Sequence, residues 1–278
     1  MIPLLAALFI STLAASACFV LFAGVFARWR SPHPPSHGLG MVAWWIRESV
    51  ASWAIAPLLA LGMRPAGPPR PGPGSTHRVP VLLVHGYDMN RATMWPLAWY
   101  LQKRGWRWVH SVNHGPWGNP VAAHARHLAQ RIAEMKRLSG EDRVDIVAHS
   151  MGGIIAAWYA ARMNGHDDVR RIVSIATPWH GTETAYLGLR LEARDLEPES
   201  TTIADIHPAM VPIVSIWTPT DQIVVPATSS AIAGGSNVRI ELAGHLDLLF
   251  DGRTFTAVRD ALAAPTVDIP APSSEAPA

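Results

Sequence analysis

Six short apolar runs alternate with amphipathic stretches between residues 79 and 263, and this alternation restricts the fold more than any other feature. The runs typical of strands are residues 79–84, 106–112, 143–148, 169–176, 211–217 and 238–242. Helical patterns cover residues 92–104, 121–138, 151–164 and 253–263, and a glycine closes each of the first three. Strands that alternate with helices predict a mainly parallel sheet of about six strands, covered by helices on both faces.

A serine stands where the third predicted strand meets the helix after it, in the sequence AHSMGG over residues 148–153. Small residues on both sides of Ser150 allow the sharp strand-to-helix turn that presents a nucleophile. The alternative is a plain helix N-cap serine. Two glycines directly after such a junction favour the nucleophile.

A serine nucleophile needs a base, and the base needs a carboxylate to orient it. His245 follows the last predicted strand and Asp221 follows the strand before it, so both are expected at the rim of the sheet where Ser150 lies. The order Ser, Asp, His along the chain fits this arrangement. Other candidates fit less well. His149 adjoins Ser150 and cannot easily face its hydroxyl, and the remaining ones lie in turn-like stretches or in unsuitable loops: His180, His207, Asp205 and Asp247.

The expected reaction also needs two backbone N–H donors for a developing oxyanion. Met151 is one candidate because it directly follows the nucleophile. Tyr87 is the other, because it follows the sequence His85-Gly86 at the end of the first predicted strand. A tight turn after a strand would explain Gly86 alone.

The segments VLLVHGY, VAHSMGG, IATPWHGTE, DQIVVP and GHLDLLF together resemble the α/β-hydrolase superfamily, and within it bacterial triacylglycerol lipases and esterases. The resemblance covers residues 79–262. It implies the α/β-hydrolase fold, a Ser150, Asp221 and His245 triad, and an oxyanion hole of the Tyr87 and Met151 amides. It further implies hydrolysis of carboxylic esters through an acyl-enzyme. Together with the apolar N-terminus described below it suggests lipid esters as substrates, and no cofactor is expected.

Two other functions stay open. An acyltransferase or thioesterase would use the same triad, and a non-catalytic membrane scaffold could share the fold. Nucleic acid is not an expected partner, because 23 basic residues against 21 acidic ones leave a formal charge of only +2. The sequence does not specify an oligomeric state.

The first 27 residues contain no Asp, Glu, Lys or Arg, and the sequence Arg28-Trp29-Arg30 follows them. A helix of this length reaches roughly 40 Å, enough to cross a bilayer core of about 30 Å. Residues 1–30 are therefore predicted to be a transmembrane anchor. A cleaved signal peptide is the alternative, and lipidation of Cys18 is a further one.

The remaining segments complete the predicted organisation. Residues 31–63 form a connector followed by an interfacial or second membrane helix, and residues 64–78 form a Pro/Gly-rich linker. The catalytic domain covers 79–263, in which 183–210 is the only stretch long enough for a lid, and a disordered tail covers 264–278. We expect a location at a bacterial inner membrane, with the side of the catalytic domain undetermined.

Metal binding is not expected. Cys18 is the only cysteine, so a cysteine cluster is excluded. His124 and His127 stand three residues apart on a predicted helix, but no carboxylate accompanies them at ligand spacing. They are predicted to lie on a solvated helix face.

Overall fold

A six-stranded sheet, in which all neighbouring strands are parallel, forms the centre of the protein. The computed structural model describes residues 2–30, 39–64, 66–72, 76–206 and 211–265. The strands are β1 Val81–Val84, β2 Val109–Val112, β3 Val144–His149, β4 Val169–Ile175, β5 Ile213–Trp217 and β6 Ser236–Arg239. Their spatial order is β2-β1-β3-β4-β5-β6, which confirms the predicted parallel sheet of six strands.

Helices cover both faces of the sheet, and alternate strand residues face them. Within the described residues the α-helices are α1 Ile2–Arg30, α2 Leu39–Gly62, α3 Trp95–Gln102, α4 Val121–Ser139, α5 Met151–Arg162, α6 Leu191–Arg194, α7 Thr201–Asp205 and α8 Gly252–Ala263. Leu82 and Val84 pack in one cluster with α4 and α5. Val81 and Leu83 pack on the opposite face with α3 and α8. Since both faces are covered, β1 is apolar throughout.

Helix α4 shows how the sequence pattern becomes packing. Its buried apolar residues recur every three or four positions and so form one stripe against the sheet: Val121, Ala125, Leu128, Ile132 and Met135. The helix ends at Gly140, which has a left-handed φ of 75° and donates its N–H to the carbonyl of Lys136.

The transmembrane anchor predicted over residues 1–30 is not supported. In the described part of the chain, no helix has the length and hydropathy that a membrane crossing requires. One side of α1 instead packs against α2, where Val20, Ala23 and Ala27 are buried and the Trp45 indole donates to the carbonyl of Ala17 at 3.2 Å. An apolar face can be covered by protein as well as by lipid.

Helix α2, predicted as an interfacial or second membrane helix, packs one side against the sheet domain. Ala51 and Ile55 are buried there, and Ile55 joins the cluster of α3 and α8. Part of the predicted linker also touches the domain, since the His77 ring stacks on Trp106 at 3.8 Å. Residues 31–38 of the predicted connector and 266–278 of the predicted tail lie outside the described residues.

Candidate active site

Ser150 occupies a sharp turn between β3 and α5. Its backbone has φ 53° and ψ −126°, and its N–H donates to the carbonyl of Ile175 at 2.8 Å. Such a conformation is strained for a residue with a side chain and costs on the order of 1–3 kcal/mol. Because α5 begins at the next residue, the serine also lies at a helix N-terminus, which favours nearby negative charge. Ser150 thus lies in the strained turn that the sequence predicts for a nucleophile.

The two glycines after Ser150 are needed because neighbouring chain segments approach too closely for a side chain. A Cβ on Gly152 would lie 2.7 Å from the carbonyl oxygen of His85. A Cβ on Gly153 would overlap the side chain of Thr177, whose hydroxyl donates to the Ser150 carbonyl at 3.0 Å. The glycine pair therefore lets α5 begin against β1 and the loop after β4.

Asp221 and His245 come together although they follow different strands. His245 Nδ1 lies 2.8 Å from Asp221 Oδ2, and both side chains are almost fully buried. The other Asp221 oxygen accepts the N–H groups of Ile223 and Val224, each at 2.8 Å. Three donors therefore fix this carboxylate. Because Asp221 occupies only Nδ1 of His245, the other ring nitrogen is available for a second partner.

The electrostatics around His245 favour its protonated form. Burial lowers the pKa of the imidazole, but the charge and hydrogen bond of Asp221, together with the charge of Glu48, outweigh that effect. The pKa of His245 consequently lies above its usual value of 6.5. A base with a raised pKa accepts a proton more readily from a serine hydroxyl.

Ser150 and His245 line the same cavity, which has a volume of about 660 Å³. The rest of the wall is mainly apolar and comes from α1, α2 and the loops after β1, β4, β5 and β6. Its apolar side chains include Phe22, Phe26, Ile55, Leu59, Leu187 and Leu196. A small number of polar groups in a largely apolar cavity is typical of a site for an apolar ligand.

The two predicted oxyanion donors flank Ser150. Met151 is the first residue of α5, where an amide has no acceptor within the helix. Tyr87 lies in the loop after β1 and also lines the cavity. This loop is close to the nucleophile, since a Cβ on Gly86 would lie 2.9 Å from Ser150 Cβ. The roles of the two amides stay predictions.

His149, which directly precedes Ser150 in the sequence, has surroundings that do not suit a base. It is fully buried, and its Nε2 lies 3.1 Å from the carbonyl oxygen of His245. Burial, with the nearby His245, holds the pKa of His149 well below 6.5. His149 therefore packs beneath the loop of His245 as a neutral ring. His180 is exposed, and His207 lies outside the described residues.

The alternative carboxylates have other partners. Asp247 Oδ2 lies 2.8 Å from an Arg47 guanidinium nitrogen of α2, and Asp205 faces Arg162 at 3.8 Å. Asp221 is the carboxylate that accepts from the His245 ring.

The predicted solvated face of His124 and His127 is wrong for His124. That residue is buried, and its Nδ1 lies 2.8 Å from the His114 carbonyl and 3.2 Å from His114 Nδ1. His127 is exposed as expected. No group of three potential metal ligands comes together among the residues that the structure describes. His124 faces inward because α4 turns this position toward the loop after β2.

Glu48 is a fully buried carboxylate of α2 beside the loop of His245 and was not among the predicted site residues. Burial raises its pKa to about 7, against the opposing effect of several hydrogen bonds. A signal existed in the sequence, because Glu48 is the only acidic residue of the apolar stretch 41–63. A lone carboxylate in such a helix is costly to bury and needs specific partners.

A family model described as the alpha/beta hydrolase fold matches residues 37–191. The match covers more than half of the chain, which therefore belongs to the α/β-hydrolase family. It includes Tyr87, Ser150 and Met151 and ends before Asp221 and His245, whose pairing rests on the geometry above.

Solved structures with the same fold include several lipases and esterases. The mature lipase BlEst2 of Bacillus licheniformis is 15% identical, with a TM-score of 0.56, over 74% of this chain and 95% of that one. Lipase B of Aspergillus fumigatus is 13% identical, with a TM-score of 0.60, over 92% and 86%. Est1E of Butyrivibrio proteoclasticus is 14% identical, with a TM-score of 0.52, over 70% and 89%. At these identities the likeness shows the fold.

Proposed function

We propose that the protein is a serine hydrolase that cleaves carboxylic esters, as a lipase or esterase does. Ser150 is the nucleophile, His245 is the general base and acid, and Asp221 orients the imidazole. The observation that carries this proposal is the 2.8 Å contact between Asp221 and His245 at a cavity that the strained Ser150 also lines. The lipases and other lipolytic enzymes among the similar structures are consistent with it.

The reaction proceeds in two acyl-transfer steps. His245 removes the proton of Ser150 as its oxygen attacks the ester carbonyl, and the negative charge on the carbonyl oxygen is held by the N–H groups of Tyr87 and Met151. The imidazolium, stabilised by Asp221, then protonates the departing alcohol and leaves an acyl-serine. Water, deprotonated by the same imidazole, attacks that ester and releases the acid. The imidazolium formed in this second step gives its proton to the departing Ser150 oxygen, so serine and histidine are restored, while the original serine proton has left with the alcohol.

The substrate is an ester with an apolar acyl group. The cavity wall is rich in Phe and Leu side chains, which contribute about 25 cal/mol for each Å² of apolar surface removed from water. A volume of about 660 Å³ suits a medium or long aliphatic chain better than a short polar acid.

The enzyme works at a lipid surface, for which we propose the bacterial inner membrane. Large apolar side chains remain exposed on α1, α2 and the segment after β4, among them Phe22, Trp29, Ile46, Val50, Tyr186, Leu187 and Leu189. Exposed apolar surface of this extent is characteristic of an interaction site. Three of these side chains, Phe22, Leu187 and Leu189, also line the cavity, so a lipid held at this surface would lie at its entrance.

The purified full chain should release free fatty acid from p-nitrophenyl esters and from emulsified glycerides, with greater efficiency on longer acyl chains. The products are followed by chromatography in the presence of a competing alcohol and, separately, with an acyl thioester. A transferred ester as the main product would indicate an acyltransferase, and preference for the thioester would indicate a thioesterase. The absence of turnover on all substrates would favour the non-catalytic scaffold.

Exposed aromatic residues near the end of α1 and after β4 should mediate binding to lipid vesicles. The Trp29→Ser and Tyr186→Ser substitutions remove side chains that are 76% and 56% exposed and that do not line the cavity. Each should weaken binding to anionic phospholipid vesicles by about 10-fold, because a buried aromatic contributes roughly 1.5–3 kcal/mol. Vesicle co-sedimentation measures the change, and turnover of a soluble short ester should stay at the wild-type value.

Trp99→Ser is the matched control, since Trp99 is 63% exposed on α3, away from both segments. A loss of vesicle binding equal to that of Trp29→Ser would contradict the proposed surface.

A further inference from the structure

Helix α2 places the carboxylate of Glu48 in the interior of the protein, beside the loop of His245. Glu48 has no exposed surface, and the electrostatic contribution of its charge reaches His245. The helix precedes the first strand of the sheet, so this carboxylate is not part of the strand-loop motifs that carry Ser150, Asp221 and His245. Burying a charge costs several kcal/mol unless it is paired or hydrogen-bonded. Its partners therefore indicate what it does.

All hydrogen-bond partners described for Glu48 are donors from the two loops that carry Asp221 and His245. The Leu246 N–H lies 2.9 Å from Oε1 and 3.1 Å from Oε2, and the Asp247 N–H donates to Oε2 at 2.7 Å. The side-chain amide of Gln222 also donates to Oε1. A set made up of donors selects the ionised carboxylate, which only accepts.

The same network reaches the backbone of His245 itself. Gln222 Oε1 accepts the His245 N–H at 3.1 Å, while the amide nitrogen of that side chain donates to Glu48. Gln222 therefore has a fixed orientation, and it connects the residue after Asp221 to the backbone of His245. One carboxylate thus holds both loops at the separation that the 2.8 Å contact of Asp221 with His245 requires.

Gly244, directly before the histidine, has no space for a side chain because of Glu48. A Cβ at this position would lie 2.7 Å from Glu48 Cγ and still closer to the carboxylate. The glycine of the sequence Ala243-Gly244-His245 is thereby explained by α2. The neighbouring Arg47 adds a second attachment, since its guanidinium lies 2.8 Å from Asp247 and 2.6 Å from Asp251.

We propose that Glu48 is a positioning residue for the ester hydrolase reaction, and that α2 is for this reason an integral part of the active site. The inference rests on the proposed function. Glu48 does not touch the reacting atoms: it fixes the loop of His245 through backbone amides and through Gln222. Its negative charge also stabilises the imidazolium that forms when Ser150 loses its proton.

The charged and titratable groups that face Glu48 define the expected pH effect. The charge of His245, on the loop after β6, acts on Glu48 directly. The Asp247 N–H donates to Glu48, but the Asp247 carboxylate pairs with Arg47 of α2, and Gln222 on the loop after β5 is neutral. The charge of Glu48 raises the pKa of His245, and the base must be neutral to accept a proton. Activity therefore falls as the pH falls through the pKa of His245, and Glu48, whose own pKa burial raises to about 7, loses its charge in the same range. Removing the charge should move this acid limb to lower pH.

Glu48→Gln tests the proposal with little change in volume. In either orientation the new amide nitrogen would face a donor, the nitrogen of Gln222 or the N–H of Asp247, so that a side chain or the loop must move. We expect kcat for a soluble ester to fall by about 10- to 100-fold with KM nearly unchanged, because small misplacements of a base are costly. The acid limb of kcat/KM should shift to lower pH. Active sites are counted by the final stoichiometry of a fluorophosphonate probe, so that unfolded protein does not enter kcat.

The double variant Glu48→Gln/Gln222→Glu exchanges the two groups and restores a complete set of donors and acceptors. It should recover most of kcat and return the acid limb toward the wild-type position. Asp145→Asn is the matched control for stability, because Asp145 is equally buried but pairs with Arg170 at the opposite end of β3. Its kcat per labelled site and its acid limb should equal those of the wild type.

The proposal is overturned if Glu48→Gln has the wild-type kcat per labelled site and the same acid limb as the wild type. If that variant labels no sites, the double variant decides: a labelled double variant with kcat still reduced by 10-fold or more also overturns it. The proposed function fails in a different way, namely when the wild type shows no hydrolysis that depends on Ser150.

Discussion

Replacement of Ser150 by alanine is expected to lower kcat for ester hydrolysis by about 10⁴-fold or more, since the members of a triad act as one unit and the nucleophile is indispensable. The substitution removes only the hydroxyl and keeps the Cβ at the φ of 53°, so the backbone strain is unchanged and the variant is expected to fold. Initial rates on a soluble p-nitrophenyl ester, with folding checked by circular dichroism, measure the effect.

Ser229→Ala serves as the control, because Ser229 is equally buried in the loop after β5 but bonds to the Gly181 carbonyl and does not line the cavity. Its kcat should remain within a few-fold of the wild type. Hydrolysis that persists in folded Ser150→Ala at more than about a tenth of the wild-type rate would exclude this serine as the nucleophile.

Asp221→Asn is expected to lower kcat by about 10³- to 10⁴-fold with a small effect on KM. The asparagine carbonyl can still accept the N–H groups of Ile223 and Val224, so the loop should keep its shape. Its NH₂ group then faces His245 Nδ1, which favours the tautomer that carries the proton on the other nitrogen. That tautomer cannot accept the proton of Ser150. Steady-state kinetics between pH 6 and about pH 9 measure the loss.

The pH dependence adds a second criterion. The charge and hydrogen bond of Asp221 raise the pKa of His245, so that the residual activity of Asp221→Asn should reach its plateau at a lower pH than the wild type. Asp205→Asn, at a partly exposed carboxylate that faces Arg162, should behave as the wild type. A fall of less than 10-fold for Asp221→Asn would require another partner for His245.

The sheet was predictable because its inner strands are covered on both faces and are therefore mostly apolar, β1 at every position. β1 and β4 lie within two residues of their predicted starts. The last strand illustrates the limit, since it was expected over 238–242 and is found at Ser236–Arg239. β6 is an edge strand with mostly exposed side chains, and its register comes from backbone pairing with β5 rather than from an apolar pattern.

The N-terminal helices show what a sequence pattern cannot distinguish. Hydrophobicity does not separate a face that packs on protein from one that meets lipid, so the packing of α1 on α2 was not predicted. Glu48 was missed for a related reason. Its partners Gln222 and Asp247 lie 174 and 199 residues away along the chain, and only the folded chain brings the three together.

The nucleophile, by contrast, carried a local signal, since a serine followed by two glycines at a strand-to-helix junction has a steric explanation on its own. The pairing of His245 with Asp221 was predictable from their order and from their positions after successive strands. Their buried surroundings, including the orientation of Gln222, depend on contacts between distant segments.

The most direct test of the proposed chemistry is peptide mapping of the full-length protein after reaction with a fluorophosphonate. The probe forms a bond to an activated serine oxygen as fluoride leaves, and mass spectrometry identifies the modified residue. We predict one equivalent of phosphonate per chain, located on Ser150, and much slower labelling when His245 is replaced by alanine. A label on another serine would contradict the account. So would full ester hydrolysis by protein whose Ser150 is completely labelled.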